Sequence, residues 1–410
     1  MSRRIDPRTS PGAVFELIHT GRADSRAAVT RILGVAPSTV SMRVNHLIEH
    51  GLVVEEGVTE STGGRQARLL EIRADAGYVA CLQLGATHAN LWLADLQGAR
   101  RFDRSLTLDL AAGPEELVKS VWGVIVDASR AAGLEPATLR GILLGVPAPV
   151  DQRRGSIGAP SLVPTLQGVD IAACFRAHTA ASVLVENDAN LLAVGEAALQ
   201  PEIDSSLLAI KLGRRIGAGL ILDGELFRGD TGAAGEISHQ RVDGRSAVEC
   251  TCGVESCLES VASGGAIIAR LRSMGYDVTT TSDLVRISQT HDSVVAGVLR
   301  EGGERIGEVL AGMVNMLNPS AIVFGGALAS CENLIASVRA TVFALALPVA
   351  SSNLTITVGR GRADAEGLGA TTLILRRVLS REVIDLELAA HEPDARQGAG
   401  PPTRVSGSGG

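Results

Sequence analysis

His239, Cys250, Cys252 and Cys257 offer one imidazole and three thiols in the pattern His-x10-Cys-x-Cys-x4-Cys. Half of the chain's six cysteines fall in this block. Thiolate sulfur and imidazole nitrogen are the donors that tetrahedral Zn²⁺ prefers, and a set complete at four leaves no open position for catalysis. A structural zinc is therefore expected, and three unrelated buried cysteines are the alternative. Glu236 stands three residues before the histidine and Glu259 two after the last cysteine. Zinc needs neither, so the block reads as a metal-pinned loop that presents carboxylates to something else.

A second group with chemical potential is Glu186-Asn187-Asp188-Ala189-Asn190, which ends one apolar run and opens a helical one. Asp188 has three readings there. It can cap the helix, act as a general base toward a hydroxyl, or hold that hydroxyl without reacting. Spacing alone is compatible with all three.

These residues need a scaffold, and the chain from Tyr78 supplies an α/β pattern. Tyr78–Leu84, Ala89–Leu96 and Ser105–Leu110 read as three successive strands. A helix from Pro114 to about Ala132 follows, then strands at Gly141–Gly145 and Ser182–Val185 and a helix at Leu191–Leu199. A second set repeats the theme, with strands at Leu207–Leu212, Gly219–Leu222, Ala321–Phe324 and Leu354–Val358 and helices near Gly303–Leu317 and Asp364–Arg376. Two α/β lobes, each opening on antiparallel strands, imply a cleft between them. Pro160-Ser-Leu-Val-Pro reads as a loop at its edge.

The first seventy residues have another character. Ala13–His19 is a short helix stopping at Thr20-Gly21, and Ser25 caps a second that stops at Gly34. Pro37 then opens a third that runs to Gly51. Helix, tight glycine turn, helix is the helix-turn-helix arrangement. Val40, Val44, Leu47 and Ile48 form its inward stripe. Ser38, Thr39, Met42, Arg43, Asn45 and His46 occupy the opposite face, which suits a DNA major groove. An ordinary surface helix is the alternative. Leu52–Glu56 and Arg68–Ile72 read as a strand pair joined through Ser61-Thr62-Gly63-Gly64-Arg65, which makes the module a winged helix. Arg65 at the tip suits the negative potential of a minor groove. Glu55, Glu56 and Glu60 share that wing, so its basic character is modest.

Composition sets the outer bounds. With 410 residues, 45% hydrophobic and 20% charged, the chain is a multidomain globular protein. Its net charge of −7 argues against a nucleic-acid coat but permits a small DNA-reading module, because local charge decides that. The longest apolar runs, such as Gly141–Val150, are too short and too rich in glycine and proline to span a bilayer. Met-Ser-Arg-Arg-Ile-Asp-Pro at the start lacks the apolar stretch of a signal peptide, so a cytoplasmic location is expected. There, thiols are more naturally metal ligands than disulfides, and Cys81, Cys174 and Cys331 are expected to be inert core residues. The two lysines, Lys119 and Lys211, stand against many arginines, which reads as base-composition bias.

With these pieces in place, residues 10–380 resemble the ROK family of bacterial repressors and sugar kinases, and within it the NagC/XylR-like regulators. Gly235-Glu236-Ile237-Ser238-His239 is similar to the family's Gly-Glu-x-Gly-His, and Cys250-Thr-Cys252-Gly-Val-Glu-Ser-Cys257-Leu-Glu259 to its Cys-x-Cys-Gly-x-x-Gly-Cys-x-Glu. Glu186–Asn190, Asn318–Gly326 and Glu366–Ala370 match further segments in order. The resemblance implies a two-lobed, actin-like sugar-kinase fold of the RNase H-like type, with structural zinc on His239 and the three cysteines. It also implies a sugar-hydroxyl clamp of Asn187, Asp188, Glu236, His239 and Glu259.

The departures bear on activity. Where the kinases open with Asp-x-Gly-Gly-Thr, this chain has Gln83-Leu84-Gly85-Ala86-Thr87. Where their second phosphate loop reads Gly-Thr-Gly-x-Gly-x-Gly, it has Gly213-Arg214-Arg215-Ile216-Gly217-Ala218-Gly219. Phosphoryl transfer depends on positioning and charge at these points. Ser161 and Leu166 replace an asparagine and a tryptophan common in the sugar loop, which leaves the sugar unidentified.

The expectation is a sugar-responsive transcriptional regulator, a repressor of carbohydrate genes and not an enzyme. Its layout is a winged helix over 1–72, lobes over 76–190 and 191–380, and a disordered tail over 391–410. The expected partners are near-palindromic operator DNA, a sugar or sugar phosphate, and further copies in a homodimer or homotetramer, with no membrane. The alternative is an active ATP-dependent sugar kinase, glucokinase-like, with an added DNA-binding domain and Asp188 as its base.

Overall fold

The computed structural model describes residues 7–57, 68–85, 89–108, 113–158, 164–203 and 206–391. Arg65 and the rest of the expected wing tip, Ala86, Thr87, Pro160, Ser161 and residues 392–410 lie outside them. The chain divides into two compact units, Gly77–Leu375 and a second that joins Met1–Ala76 with Arg376–Gly410.

The smaller unit begins with three helices. α1 (Pro11–His19) is capped by Ser10, whose Oγ accepts the Ala13 N–H at 3.2 Å. α2 (Arg26–Leu33) is capped the same way by Ser25 and stops at Gly34, which adopts the left-handed conformation that glycine takes without strain. α3 (Pro37–Glu49) follows after the three-residue turn Gly34-Val35-Ala36. β1 (Val53–Glu56) pairs antiparallel with β2 (Leu69–Ile72). Phe15, Val29, Val40, Val44, Leu47, Leu52 and Leu70 are buried, whereas Ile48, the fourth member of the expected inward stripe, is half-buried.

The larger unit holds two five-stranded sheets of one topology. The first contains β3 (Tyr78–Leu84), β4 (Ala89–Asp95), β5 (Arg100–Leu106), β6 (Leu139–Val146) and, past a small hairpin of β7 (Val150–Asp151) and β8 (Ser156–Ile157), β9 (Ser182–Asn187). Its spatial order is β5-β4-β3-β6-β9, three antiparallel strands followed by two parallel ones. α4 (Pro114–Ala131) and α5 (Ile171–Phe175) carry residues that join the core of this lobe.

The third strand corrects the sequence reading. The alternating Leu106, Leu108 and Leu110 suggested a strand over Ser105–Leu110, but β5 starts at Arg100. The reason is a tight turn after β4, where Asp95 Oδ1 accepts the N–H groups of Gln97 and Ala99 at 3.1 and 2.9 Å. Pairing therefore begins at once on an edge strand whose exposed, charged side chains hide its period.

The second lobe opens with α6 (Asp188–Leu199), β10 (Leu207–Leu212), β11 (Ile216–Leu222) and β12 (Glu225–Phe227). Helices α7 (Leu258–Ala262), α8 (Gly264–Ser273), α9 (Thr281–Ser288) and α10 (Ser293–Leu317) follow. β13 (Ala321–Gly325), α11 (Glu332–Leu345), α12 (Pro348–Ser351), β14 (Thr355–Val358) and α13 (Ala365–Val378) complete it. The order β12-β11-β10-β13-β14 repeats the first sheet's pairing strand for strand. α6 lies directly on β11: a Cβ on Gly219 would overlap the carbonyl oxygen of Ala189, so only glycine allows the helix to sit there.

α14 (Arg381–His391) belongs to the smaller unit and was not anticipated. It buries Ile384 and Leu388, one turn apart, and packs on α1, where Asp385 Oδ1 accepts the Gly12 N–H at 2.7 Å. His391, taken from sequence as the start of a disordered tail, is its last residue.

Candidate functional site

Inside the larger unit lies a cavity of about 770 Å³, walled by β3 and the Pro147–Pro149 segment after β6 in the first lobe and by β10, β11 and α13 residues of the second. It is large enough for a drug-sized polar ligand. Asn187, Asp188, Glu236, His239 and Glu259, separated by up to 72 residues in sequence (259 − 187), all line it.

The junction of β9 and α6 sorts the first two. Asn187 is the cap: its Oδ1 accepts the N–H groups of Ala189 and Asn190 at 2.9 and 3.2 Å, and its Nδ2 donates to the Ala148 carbonyl at 3.0 Å. Asp188 is thereby released from capping and is the first residue of α6, with its carboxylate at the cavity. Beneath them Glu186 is buried and paired with Arg228 at 2.7 Å, which fixes the strand end.

Asp188 does not stand free. Lys211 Nζ lies 2.8 Å from Asp188 Oδ2 and 2.8 Å from Glu366 Oε1. Burial works against the ammonium, but the charges of Asp188 and Glu366 outweigh it and hold Lys211 firmly protonated. Burial likewise pushes the Glu366 carboxyl up, against the pull of Lys211. Sequence reasoning passed over Lys211 as a composition effect. Its signal was present: one of only two lysines, it interrupts an otherwise apolar strand next to the Gly213–Gly219 loop.

Glu236 carries a carboxyl pushed up to about 6, first by burial and then by the negative charge of Asp188. Glu259, in the first turn of α7, accepts the Ile216 N–H at 3.0 Å and sits 3.7 Å from Arg215 Nε. Burial raises its carboxyl as well. Glu259 thus ties the cysteine segment to the loop where arginine replaces glycine.

His239, Cys250, Cys252 and Cys257 place their donor atoms within 4.8 Å of one another, a group that could hold a metal ion. Burial, with the neighbouring thiols adding to it, pushes the Cys250 thiol up to about 12, and such a thiol gives up its proton when it binds a metal. His239 joins this cluster to the cavity. Its Nδ1 is 3.5 Å from Cys250 Sγ, and its Nε2 is 3.7 Å from Glu236 Oε2. Burial and the charge of Arg215 lower the imidazole, which favours the neutral form that ligates metals. Cys81 and Cys331 are buried, whereas Cys174 is half-buried with Sγ 3.5 Å from the Asp170 carbonyl.

The loop departures fall in different places. Gln83, Gly85 and Gly213 to Ala218 line the cavity. Leu166, expected beside the sugar, is buried in the core of the first lobe.

In the smaller unit, Ser38, Met42 and Asn45 of α3 are exposed and Thr39, Arg43 and His46 half-buried. Asn45 is already engaged, because Arg26 Nη2 donates to its Oδ1 at 2.8 Å while Arg26 also holds Glu55. Arg43 has a buried Nε with no hydrogen-bond partner. Arg65 lies outside the described residues.

Comparison with known proteins agrees along nearly the whole chain. The xylose repressor of Caldicellulosiruptor bescii is 26% identical over 384 residues, 90% of this chain and 95% of the relative. A crystal structure described as a ROK family transcriptional regulator, homolog of the E. coli MLC protein, superposes with a TM-score of 0.79 at 22% identity. It covers 94% of this chain and all of that one, a likeness of fold. The ROK hexokinase of Thermus thermophilus matches 72% of this chain and 96% of its own at 27% identity, with a TM-score of 0.59. The family model described as "ROK family" matches residues 79–377, and on that span the chain belongs to the ROK family.

Proposed function

We propose that this chain is a sugar-responsive DNA-binding transcriptional regulator, a repressor of carbohydrate genes, whose kinase-like body senses its ligand without useful phosphoryl transfer. The observation that carries the reading is the Lys211–Asp188 pair. Asp188, at the cavity, shares Oδ2 with the Lys211 ammonium at 2.8 Å, an ion pair that fixes the carboxylate in place to hold a hydroxyl, a role that needs no proton transfer. The xylose repressor likeness, which covers 90% of this chain and so more than the ROK span of residues 79–377, points the same way.

In this reading α1–α3 with β1 and β2 form a winged helix-turn-helix domain, over about residues 1–72, that enters operator DNA. Ser38, Thr39, Met42, Arg43, Asn45 and His46 face the major groove, and Arg65 the minor groove. Asn187, Asp188, Glu236, His239 and Glu259 surround a sugar or sugar phosphate in the cavity. Zn²⁺ on His239, Cys250, Cys252 and Cys257 is structural: it fixes the wall that carries Glu236 and Glu259. The four donors fit it in type and number. The regulator acts in the cytoplasm as a homodimer or homotetramer on a near-palindromic site. A coupling of about 1–3 kcal/mol between ligand and operator gives a several-fold to roughly hundredfold change in DNA affinity.

The second reading, an active sugar kinase with an added DNA-binding domain, draws on the hexokinase likeness and on Asp188 at the cavity. A thermal-shift screen of sugars and sugar phosphates, with and without ATP, separates the two when combined with an ADP-release assay. The regulator reading expects a melting shift that ATP does not change, no ADP, and an operator footprint that responds to the same sugar. ADP release abolished by Asp188→Asn establishes the kinase instead. A footprint indifferent to every sugar sinks the sensor.

A further inference from the structure

An ammonium has three N–H donors and no acceptor. Lys211 spends two of them, on Asp188 Oδ2 and Glu366 Oε1, and its side chain lines the cavity. Asp188 spends one oxygen on Lys211 and keeps Oδ1. A charged donor and a charged acceptor therefore stand side by side at one point of the cavity wall. A hydroxyl is the group that satisfies both, since it donates one proton and accepts through its oxygen.

We propose that Lys211 is a ligand-binding residue, donating its third N–H to the oxygen of the same sugar hydroxyl whose proton Asp188 accepts. The assignment rests on the sensor reading and deepens it. Bound in this way the hydroxyl donates to Asp188 and accepts from Lys211, and no bond is made or broken. The surroundings decide the chemical class of the group. Asp188, Glu236, Glu259 and Glu366 line the cavity against three cationic side chains, Lys211, Arg214 and Arg215, the last lying against Glu259. A phosphate or carboxylate at this point would meet more negative than positive charge, so the group held here is an uncharged hydroxyl, whatever the far end of the ligand carries.

The test uses the full-length protein with a sugar that raises its melting temperature, together with that sugar's monodeoxy analogues. In the wild type, one deoxy position is expected to bind more weakly by on the order of ten- to a hundredfold, the value of a hydrogen bond to a charged group. Lys211→Met removes the charge at similar volume. It is expected to weaken the parent sugar by a comparable factor and to bind parent and deoxy analogue within about twofold of each other. Lys211→Ala is expected to recover discrimination in the presence of propylammonium, which a purely structural lysine would not permit. Where Lys211→Met does not fold, Lys211→Gln keeps a neutral donor, and discrimination at the full wild-type level there overturns the assignment. So does a Lys211→Met protein that folds and discriminates as the wild type does. A wild type that responds to no sugar overturns the sensor reading and this inference together, whereas a responsive wild type with an indifferent Lys211 variant sinks the inference alone.

Discussion

The imidazole of His239 links Cys250 to Glu236: Nδ1 approaches the sulfur at 3.5 Å and Nε2 the carboxylate oxygen at 3.7 Å. His239, with the three cysteines, would hold a metal, and that tie would fix the ring's tautomer and orientation and with them the group presented to the cavity. Cys252→Ser is therefore expected to lower metal content and melting temperature and to weaken the sugar response in the same protein. Elemental analysis of freshly purified protein gives the first quantity and thermal shift the other two. A variant that loses its metal yet keeps full sugar affinity would separate the cluster from the cavity and refute the link.

Asn187 and Asp188 make a second, sharper contrast. Asn187→Ala removes a helix cap and the tie to Ala148, and loss of such a cap typically costs about 1 kcal/mol. Asp188→Asn leaves the cap intact and removes one of two charges facing Lys211. The first variant is expected to melt clearly earlier and to lose part of its ligand affinity, since Asn187 is both the cap and a member of the clamp. The second is expected to melt close to the wild type and to lose the sugar response. Denaturation curves paired with binding isotherms distinguish them, and the reverse pattern would exchange the two roles.

How much of this was readable beforehand follows physical lines. The cysteine block and the residues around Asp188 are local sequence patterns whose chemistry does not depend on knowing the fold, and the structure gathers them around one cavity. Helix ends at Ser25, Gly34 and Pro37 were legible because caps and left-handed turns are local too. What escaped depended on distant partners. Lys211 acquires meaning only when Asp188 and Glu366, 23 and 155 residues away (211 − 188 and 366 − 211), close on it. α14 carries no striking motif, and its weak amphipathic pattern becomes intelligible only against α1. Leu166, read only as a departure in the sugar loop, has a side chain that fills the first lobe's core, a placement that the motif does not encode.

The contact between α1 and α14 makes its own prediction. A Cβ on Gly12 would overlap the Arg381 carbonyl oxygen and crowd Asp385 Oδ1, which already accepts the Gly12 N–H. Backbone cannot swing aside as a flexible side chain would, and overpacking of this kind costs typically about 1–3 kcal/mol. Gly12→Ala, and a chain ended after Ser380, are both expected to make the smaller unit more sensitive to proteolysis and to weaken operator binding. The sugar-induced rise in melting temperature of the larger unit should remain. Operator binding unchanged in the truncated chain would show that α14 is dispensable to that unit.

Arg26 supplies the last prediction, through a network that spans α2, α3 and β1. Its Nε donates to Glu55 Oε1 at 2.8 Å, and its Nη atoms reach Asn45 Oδ1 and the Ser41 carbonyl at 2.8 and 3.2 Å. The hydrogen bond from Arg26 holds the Glu55 carboxyl below its ordinary value of 4.5, more than offsetting the opposing effect of burial. A depressed folded-state pKa contributes stability that is fully present above the unfolded value and is lost as pH falls through the folded one. Stability of the smaller unit should therefore hold from neutrality down to about pH 4.5 and decline below it. Glu55→Gln should flatten that acid limb at a cost of about 1 kcal/mol or less near neutral pH, since the pair is partly exposed and screened. Arg26→Ala should do the same and also release Asn45, so that operator affinity changes in this variant more than in Glu55→Gln. Melting temperatures against pH for the three proteins, read beside their operator affinities, decide the point; an acid limb identical in all three would assign the pH dependence to other carboxylates.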